Sequence, residues 1–234
     1  MSVPTSQLAT QLRKDGVVSY EGFWDAERCD RVRKEIESVL GGDGLTVSNE
    51  HDSYEELASA EEAILLDRSG TADEGMIDIF NIDYAVDDVR EYKTNPDILE
   101  IINRATGNEY SVDNSNAYVN KSVTSTRGFH ADTYSGKFKS FVYLTDVPDE
   151  SYGPFSYVKG SHDKSKLQQT TNSLINRVKG NRSTDARNVE ESEITKFTAE
   201  KGTLIIGNQA GYHRGWPQEE GYERMLITNS YTSA

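Results

Sequence analysis

His130-Ala131-Asp132 sets an imidazole and a carboxylate two residues apart. On a strand such residues point the same way, because side chains alternate faces with a period of two. The chain has four histidines, His51, His130, His162 and His213, so few can join the pair. His213 follows an apolar run, Thr203 to Gly207, and a short loop, Asn208 to Tyr212. Two imidazoles and one carboxylate on one side of a metal suit non-haem Fe(II) and leave positions open for chemistry. The plain alternative is a surface His-x-Asp pair with an unrelated structural His213. Arg224 lies 224 − 213 = 11 residues further on, in the strand-like run Glu223-Arg-Met-Leu-Ile-Thr-Asn-Ser-Tyr231. A metal with open positions can hold a 2-oxo acid through its keto oxygen and C1 carboxylate. The far carboxylate then calls for a planar, bidentate cation, which arginine supplies and lysine does not. An exposed strand arginine is the alternative; Met225, Leu226 and Ile227 argue for burial, where an unpaired arginine is costly.

Such a triad closes only if a β core brings distant segments together. The run after Gly107 has that character. Strand patterns occur at 109–120, 126–133, 137–146, 155–158, 193–198, 202–207 and 223–231, with turn signals at Ser135-Gly136, Tyr152-Gly153-Pro154 and Lys201-Gly202. Many short strands with such turns imply a sandwich or jelly roll. The stretch 163–180 breaks the pattern and reads as a helical insertion. Upstream, Leu8 and Leu12 mark a helix over 5–14, Val17, Val18 and Tyr20 a strand, and Asp25 caps a helix over 26–40. Residues 41–75 are polar and loop-rich, with a helical stretch near 55–67. A strand over 76–82 and helices near 85–92 and 96–105 follow. The expected organisation is one domain over 1–234, mainly β with flanking α. A helical part spans 1–108, with a lid-like insertion at 41–75, and a jelly-roll core spans 109–231. Segments 41–75 and 163–180 are the lid candidates, since lids come from weakly packed, loop-rich regions.

Composition narrows the class. Of 234 residues, 35% are hydrophobic and 9% aromatic, which is globular rather than disordered. No stretch reaches the roughly 18 apolar residues of a membrane span, and no apolar signal core opens the chain, so a cytoplasmic protein is expected. Cys29 is the only cysteine, so no internal disulfide forms. The net charge of −14 disfavours nucleic acid and anionic membranes as partners and leaves a small molecule as the expected one.

Taken in order, Phe129-His-Ala-Asp132, Val142-Tyr-Leu-Thr-Asp146, Gly153-Pro-Phe-Ser-Tyr-Val-Lys-Gly-Ser-His162, Gly202-Thr-Leu-Ile-Ile206, His213 and Arg224 resemble the phytanoyl-CoA dioxygenase-like Fe(II)/2-oxoglutarate oxygenases. Leu12-Arg-Lys-Asp-Gly-Val-Val18 resembles that family's usual start, so nearly the whole chain is covered. The resemblance implies a double-stranded β-helix (a cupin-like jelly roll) with its N-terminal helices on the major sheet, and Fe(II), 2-oxoglutarate and O2 as cofactor and co-substrates. It assigns His130, Asp132 and His213 to the metal and Arg224 to the C5 carboxylate of 2-oxoglutarate. Asn120 and Lys121 fall where the family places a polar contact to the other end of that molecule. His162 becomes a turn residue, and His51 sits in an exposed polar loop.

Two departures stand out. The position two residues after the distal histidine, often Ser or Thr in the family, is Gly215, so a contact must come from elsewhere, with Thr145 or a tyrosine as candidates. The family's usual Pro before Gly-Ser-His is Lys159. Related halogenases replace the carboxylate with Gly or Ala, and this chain keeps Asp132. Hydroxylation of an aliphatic C–H bond, coupled to formation of succinate and CO2, is the expected reaction. A desaturation or cyclisation outcome on the same fold, and a catalytically silent binding protein, are the alternatives. Arg127, Tyr134, Arg214 and Trp216 are the candidate substrate contacts. If both arginines face the pocket, an anionic small substrate is expected. Oligomeric state stays open.

Overall fold

Period-two burial along the central strands sets the architecture. Met225 and Ile227, Val142, Leu204 and Ile206 are buried against helices, while Leu226, Phe141, Tyr143 and Ile205 are buried on the opposite face. A sheet covered on both faces follows directly. The structure, a computed structural model, describes residues 3–42, 45–48, 53–71 and 73–233.

The helical layer is α1 (Thr5–Asp15), α2 (Ala26–Leu40), α3 (Tyr54–Ser59), α4 (Asp87–Lys93) and α5 (Pro96–Thr106), with α6 (Lys166–Val178) inserted late. Leu8 and Leu12 bury α1, Cys29, Val32 and Ile36 bury α2, and Ile98, Ile101 and Ile102 bury α5. Gly16 stops α1 in the left-handed region (φ 76°), its N–H returning to the Leu12 carbonyl. Asp25 caps α2 by accepting the Arg28 N–H at 2.7 Å.

The strands are β1 (Val17–Tyr20), β2 (Thr46–Val47), β3 (Ile64–Asp67), β4 (Met76–Phe80), β5 (Tyr110–Lys121), β6 (Lys137–Tyr143), β7 (Phe155–Val158), β8 (Ile194–Lys196), β9 (Leu204–Asn208), β10 (His213–Gly215) and β11 (Glu223–Ser233). Eight form the major sheet in the order β1-β9-β6-β11-β5-β4-β3-β2, and β10-β7-β8 form the minor one. All pairs are antiparallel except β2 with β3. Phe155 and Tyr157 of the minor sheet pack on Phe141, Tyr143 and Leu226 of the major one. This is the double-stranded β-helix, with helices on the outer face of the major sheet. Among the described residues no helix is long and apolar enough to cross a membrane.

Two element expectations are corrected. The helix near 55–67 is only α3, closed at its start by a Ser53/Glu56 capping box; Ile64-Leu65-Leu66 instead belongs to β3, paired with β4 on one side and β2 on the other. The strand over 126–133 does not form. His130 makes isolated bridges to His213 and Asp185, and the flanking residues are irregular because their N–H groups go to separate partners, Ala131 to Thr184 and Asp132 to Gln209. The insertion at 163–180 is indeed helical.

Candidate metal centre and cofactor pocket

His130 and His213 are joined back to back by two backbone bonds, His130 N to His213 O at 3.1 Å and His213 N to His130 O at 2.9 Å. Each ring is then fixed in the same way. Nδ1–H of His130 donates to the Gly128 carbonyl at 2.8 Å, and Nδ1–H of His213 donates to the Gly211 carbonyl at 2.9 Å. A carbonyl only accepts, so Nδ1 carries the proton and Nε2 presents its lone pair. Both lone pairs face one atom: Asp132 Oδ1 lies 3.3 Å from His130 Nε2 and 3.6 Å from His213 Nε2. The ligand atoms of the three residues all lie within 4.8 Å of one another. Two neutral imidazoles and a carboxylate, with their outer nitrogens held by carbonyls, are a donor set prepared for a metal.

The carboxylate's second oxygen, Oδ2, accepts from Lys139 Nζ at 2.9 Å. Burial alone would raise the Asp132 carboxyl and lower the Lys139 ammonium. Their mutual attraction reverses both, holding Asp132 well below and Lys139 well above the ordinary range.

Behind the histidines the minor sheet closes the site. The Tyr157 ring lies parallel to His213 with centroids 6.4 Å apart, and Phe155 approaches to 5.8 Å. Gly211 is required here, since a Cβ at that position would sit 1.8 Å from the Tyr157 hydroxyl oxygen. α6 braces the other side. Asn172 and Asn176 donate to the Asp185 carbonyl at 3.1 and 2.8 Å, and Asp185 in turn accepts from Arg127 and bridges His130.

Arg224 stands on the inner face of β11, opposite Asn120 on β5. It is 5% exposed, and its Nε and Nη1 have no partner. Burial lowers its pKa, with the neighbouring Tyr143 opposing that shift. Asn120 Oδ1 and Gln209 Oε1 are likewise buried without partners. All three residues line a cavity of about 820 Å³ that also takes in His130, Asp132 and His213. A buried guanidinium with unused donors in a cavity beside a metal donor set fits a dicarboxylate bound between them. A Cβ built at Gly215 would lie 3.7 Å from Arg224 Nη2, so that position adjoins the clamp and leaves room there.

The other expected contacts divide. Arg127 and Arg214 line the cavity; Tyr134 and Trp216 do not. Trp216 lies under Lys196 Nζ, 3.8 Å from the ring centroid, and Tyr134 accepts from Asn172. Arg127 is paired with Asp185, whereas Arg214 hydrogen-bonds only Thr126, through its hydroxyl and its carbonyl, and among the described residues has no carboxylate within ion-pair distance. Lys121 has the wrong parity on β5: it points away from Asn120's side and sits 3.7 Å from Glu223. Thr145 is occupied by the Met225 N–H at 3.0 Å and lies outside the cavity. His162 lies in a turn with Nε2 3.2 Å from the Arg13 carbonyl oxygen, and His51 lies outside the described residues. Of the lid candidates, 41–75 contributes Tyr54, Glu55, Ala58, Ser59, Arg68 and Asp73 to the cavity wall, while 163–180 contributes nothing. Lys139 and Gln209 were not expected. Lys139's signal was available, since it shares parity with Phe141 and Tyr143 on an inward face.

The phytanoyl-CoA dioxygenase (PhyH) family model matches residues 12–218. No curated protein matches the sequence. Among solved structures, the non-haem alpha-ketoglutarate-dependent epimerase SnoN from nogalamycin biosynthesis aligns with TM-score 0.69 at 17% identity, covering 98% of this chain and 83% of that one. HygX from Streptomyces hygroscopicus, with nickel and 2-oxoglutarate bound, aligns with TM-score 0.67 at 12% identity, over 99% of this chain and 87% of that one. SnoK, an alpha-ketoglutarate-dependent carbocyclase from nogalamycin biosynthesis, gives TM-score 0.66 at 16% identity, over 96% and 83%. At these identities the three share the fold.

Proposed function

From the premise that the chain belongs to the phytanoyl-CoA dioxygenase family of Fe(II)/2-oxoglutarate-dependent oxygenases, we propose that it hydroxylates an aliphatic C–H bond of a small anionic molecule, with 2-oxoglutarate converted to succinate and CO2. The observation that carries this reading is the convergence of His130, Asp132, His213 and the unpartnered Arg224 on one cavity. When bound, iron with 2-oxoglutarate and O2 supplies an oxidant strong enough to break an unactivated C–H bond. The chain's own residues do the rest. His130 and His213 present Nε2, Asp132 presents Oδ1, and Arg224 takes the far carboxylate of 2-oxoglutarate, with Asn120 beside it. Phe141, Phe155 and Leu226 make a dry wall that excludes water from the reacting bond.

The anionic substrate is argued from charge. The chain carries −14, yet the cavity is lined by seven cationic side chains against four carboxylates. Arg68 and Arg127 are paired with Asp78 and Asp185, and Arg224 serves 2-oxoglutarate. Lys139 is paired with Asp132, and Lys137 and Arg182 are exposed, so Arg214 is the part-buried cation left for a substrate carboxylate or similar group.

The relatives SnoN and SnoK are an epimerase and a carbocyclase, so product mass decides the outcome. A succinate-release screen over small carboxylates and amino acids, followed by mass analysis under labelled O2, is expected to give a product heavier by one labelled oxygen atom. A product of unchanged mass or one lacking two hydrogens would replace hydroxylation by epimerisation or ring closure. Arg214→Ala should raise the substrate KM and leave the KM for 2-oxoglutarate alone; an unchanged substrate KM refutes the anionic assignment.

A further inference from the structure

Asp132 offers two oxygens, and only one faces the histidines. Oδ1 lies 3.3 and 3.6 Å from the two Nε2 atoms, while Oδ2 is 2.9 Å from Lys139 Nζ. A carboxylate beside a divalent ion can bind through one oxygen or chelate through both. The difference matters here, because 2-oxoglutarate needs two adjacent positions and O2 a third. A chelating Asp132 would take one of them.

Lys139 is well placed to decide this. It stands on β6, a central strand bonded on one side to β11 and on the other to β9, so its backbone is held in two ladders. Its partner on β9 is Gly207, which puts no side chain in the way of the lysine stem. Its neighbours of like parity, Phe141 and Tyr143, face inward with it. An isolated lysine on such an apolar face is costly unless paired, and among the described residues Asp132 is its only ion-pair partner. The ammonium holds the Asp132 oxygen other than the one that approaches the two Nε2 atoms. It therefore competes for Oδ2 and leaves Oδ1 to the metal.

We propose that Lys139 is a positioning residue that restricts Asp132 to single-oxygen coordination and so keeps a position open for 2-oxoglutarate and O2, an inference that rests on the metal reading above. The lysine contributes two separable effects. Its N–H occupies Oδ2, which sets how the carboxylate binds. Its charge repels a dication, which weakens metal binding and guards against overly tight retention. Removing both effects at once should tighten the metal and loosen the co-substrate.

The test uses the full-length protein loaded with Co(II) under anaerobic conditions, so that nothing turns over. Metal affinity is read by equilibrium dialysis, coordination by the Co(II) visible spectrum, and 2-oxoglutarate affinity by the change in that spectrum. In Lys139→Met we expect Co(II) bound about 10-fold tighter or more, from removal of a like charge, altered visible bands, and 2-oxoglutarate bound at least about 10-fold more weakly, from the coordination position lost to Oδ2. Lys139→Arg keeps charge and donor and should retain the wild-type spectrum. Lys139→Gln keeps a donor without charge, so it should tighten Co(II) while leaving 2-oxoglutarate near its wild-type affinity. Lys139→Gln carries the test if the methionine variant fails to fold. A folded Lys139→Met with wild-type bands and wild-type 2-oxoglutarate affinity overturns the proposal, as does a Lys139→Gln that binds Co(II) more weakly. Wild-type protein that takes up no Co(II) would instead remove the metal reading itself.

Discussion

Arg224→Met should move ligand-free stability and ligand affinity in opposite directions. Arg224 is 5% exposed, and its Nε and Nη1 lack partners, so without 2-oxoglutarate the guanidinium is buried at a cost. Methionine fills a similar path without charge, and replacing buried charge with apolar volume is commonly worth about 1–4 kcal/mol. The ligand-free Tm should therefore rise by a few degrees, at roughly 2–4 °C per kcal/mol for a chain of this size. Affinity should fall. Hydrogen bonds to charged groups are worth about 1.5–3 kcal/mol each, so loss of a carboxylate fork costs at least about 3 kcal/mol, or roughly 100-fold in Kd. Thermal shift on Ni(II)-loaded protein reads both quantities. At 2-oxoglutarate equal to about 100 times the wild-type Kd, the wild type gains about 2.7 kcal/mol, or roughly 5–11 °C. The same concentration only matches the variant's Kd, giving about 0.4 kcal/mol and a shift near 1 °C. A variant with a lowered ligand-free Tm and an undiminished 2-oxoglutarate shift would show that Arg224 is structural and that the reasoning from its unpartnered donors is wrong.

Two further perturbations test the supports of the site. Gly211→Ala forces a Cβ to within 1.8 Å of the Tyr157 hydroxyl oxygen, and it disturbs the carbonyl that holds His213. It should cost about 1–3 kcal/mol and reduce bound metal per chain, with Tyr157→Leu in the same molecule, which removes the ring carbon at 2.3 Å as well as the hydroxyl, restoring part of both; no rescue in the double variant would refute the clash. Lys164 sits over the Tyr212 ring at 3.8 Å, and burial brings its pKa from 10.5 down to about 8. Between those values the unfolded chain binds the proton that the folded one releases, so this group makes stability rise with pH from about 8 to 10.5 and is unfavourable at full strength below that window. Lys164→Met should flatten Tm against pH across that window and raise Tm at neutral pH. An unchanged slope would show that Lys164 is not desolvated.

The site was legible in the sequence to the extent that local rules govern it. Arg224 was recoverable from its position in an apolar run, because period-two burial puts it on the same face as Leu226. The same parity rule, applied to β5, would have rejected Lys121 beside Asn120, and applied to β6 would have found Lys139. His130 and Asp132 converge for a reason other than the one their spacing suggests. No strand forms over 126–133; the two residues are aimed by separate backbone bonds to His213 and Gln209, which are tertiary contacts that no local pattern carries. The role of α6 was hidden for the same cause. Its helix pattern and capping box are plain, but that Asn172 and Asn176 reach the Asp185 carbonyl depends on where the insertion folds back. Tyr134 and Trp216 lie outside the cavity lining because an aromatic near a ligand in sequence has several neighbours to pack on; here Trp216 lies under Lys196 and Tyr134 accepts from Asn172.

The charge of the whole chain and that of the cavity point in opposite directions, and screening reconciles them. At physiological ionic strength charges more than about 8 Å apart in water are largely screened, so most of the surface carboxylates are not felt at the cavity floor. Inside, water is displaced by Phe141, Phe155 and Leu226, and the local cations act with far less attenuation. An acidic exterior therefore does not argue against an anionic ligand; it sets solubility, and in the proposed reading recognition falls to Arg224 and Arg214. Those two differ in what they ask for. Arg224, buried opposite Asn120, is suited to a carboxylate at a fixed distance from the metal site. Arg214, part-buried between Phe129 and Trp216 with its donors on Thr126, is the contact proposed for the substrate's anionic group. Division of that kind suits an enzyme whose co-substrate is constant and whose substrate is set by the residues around it.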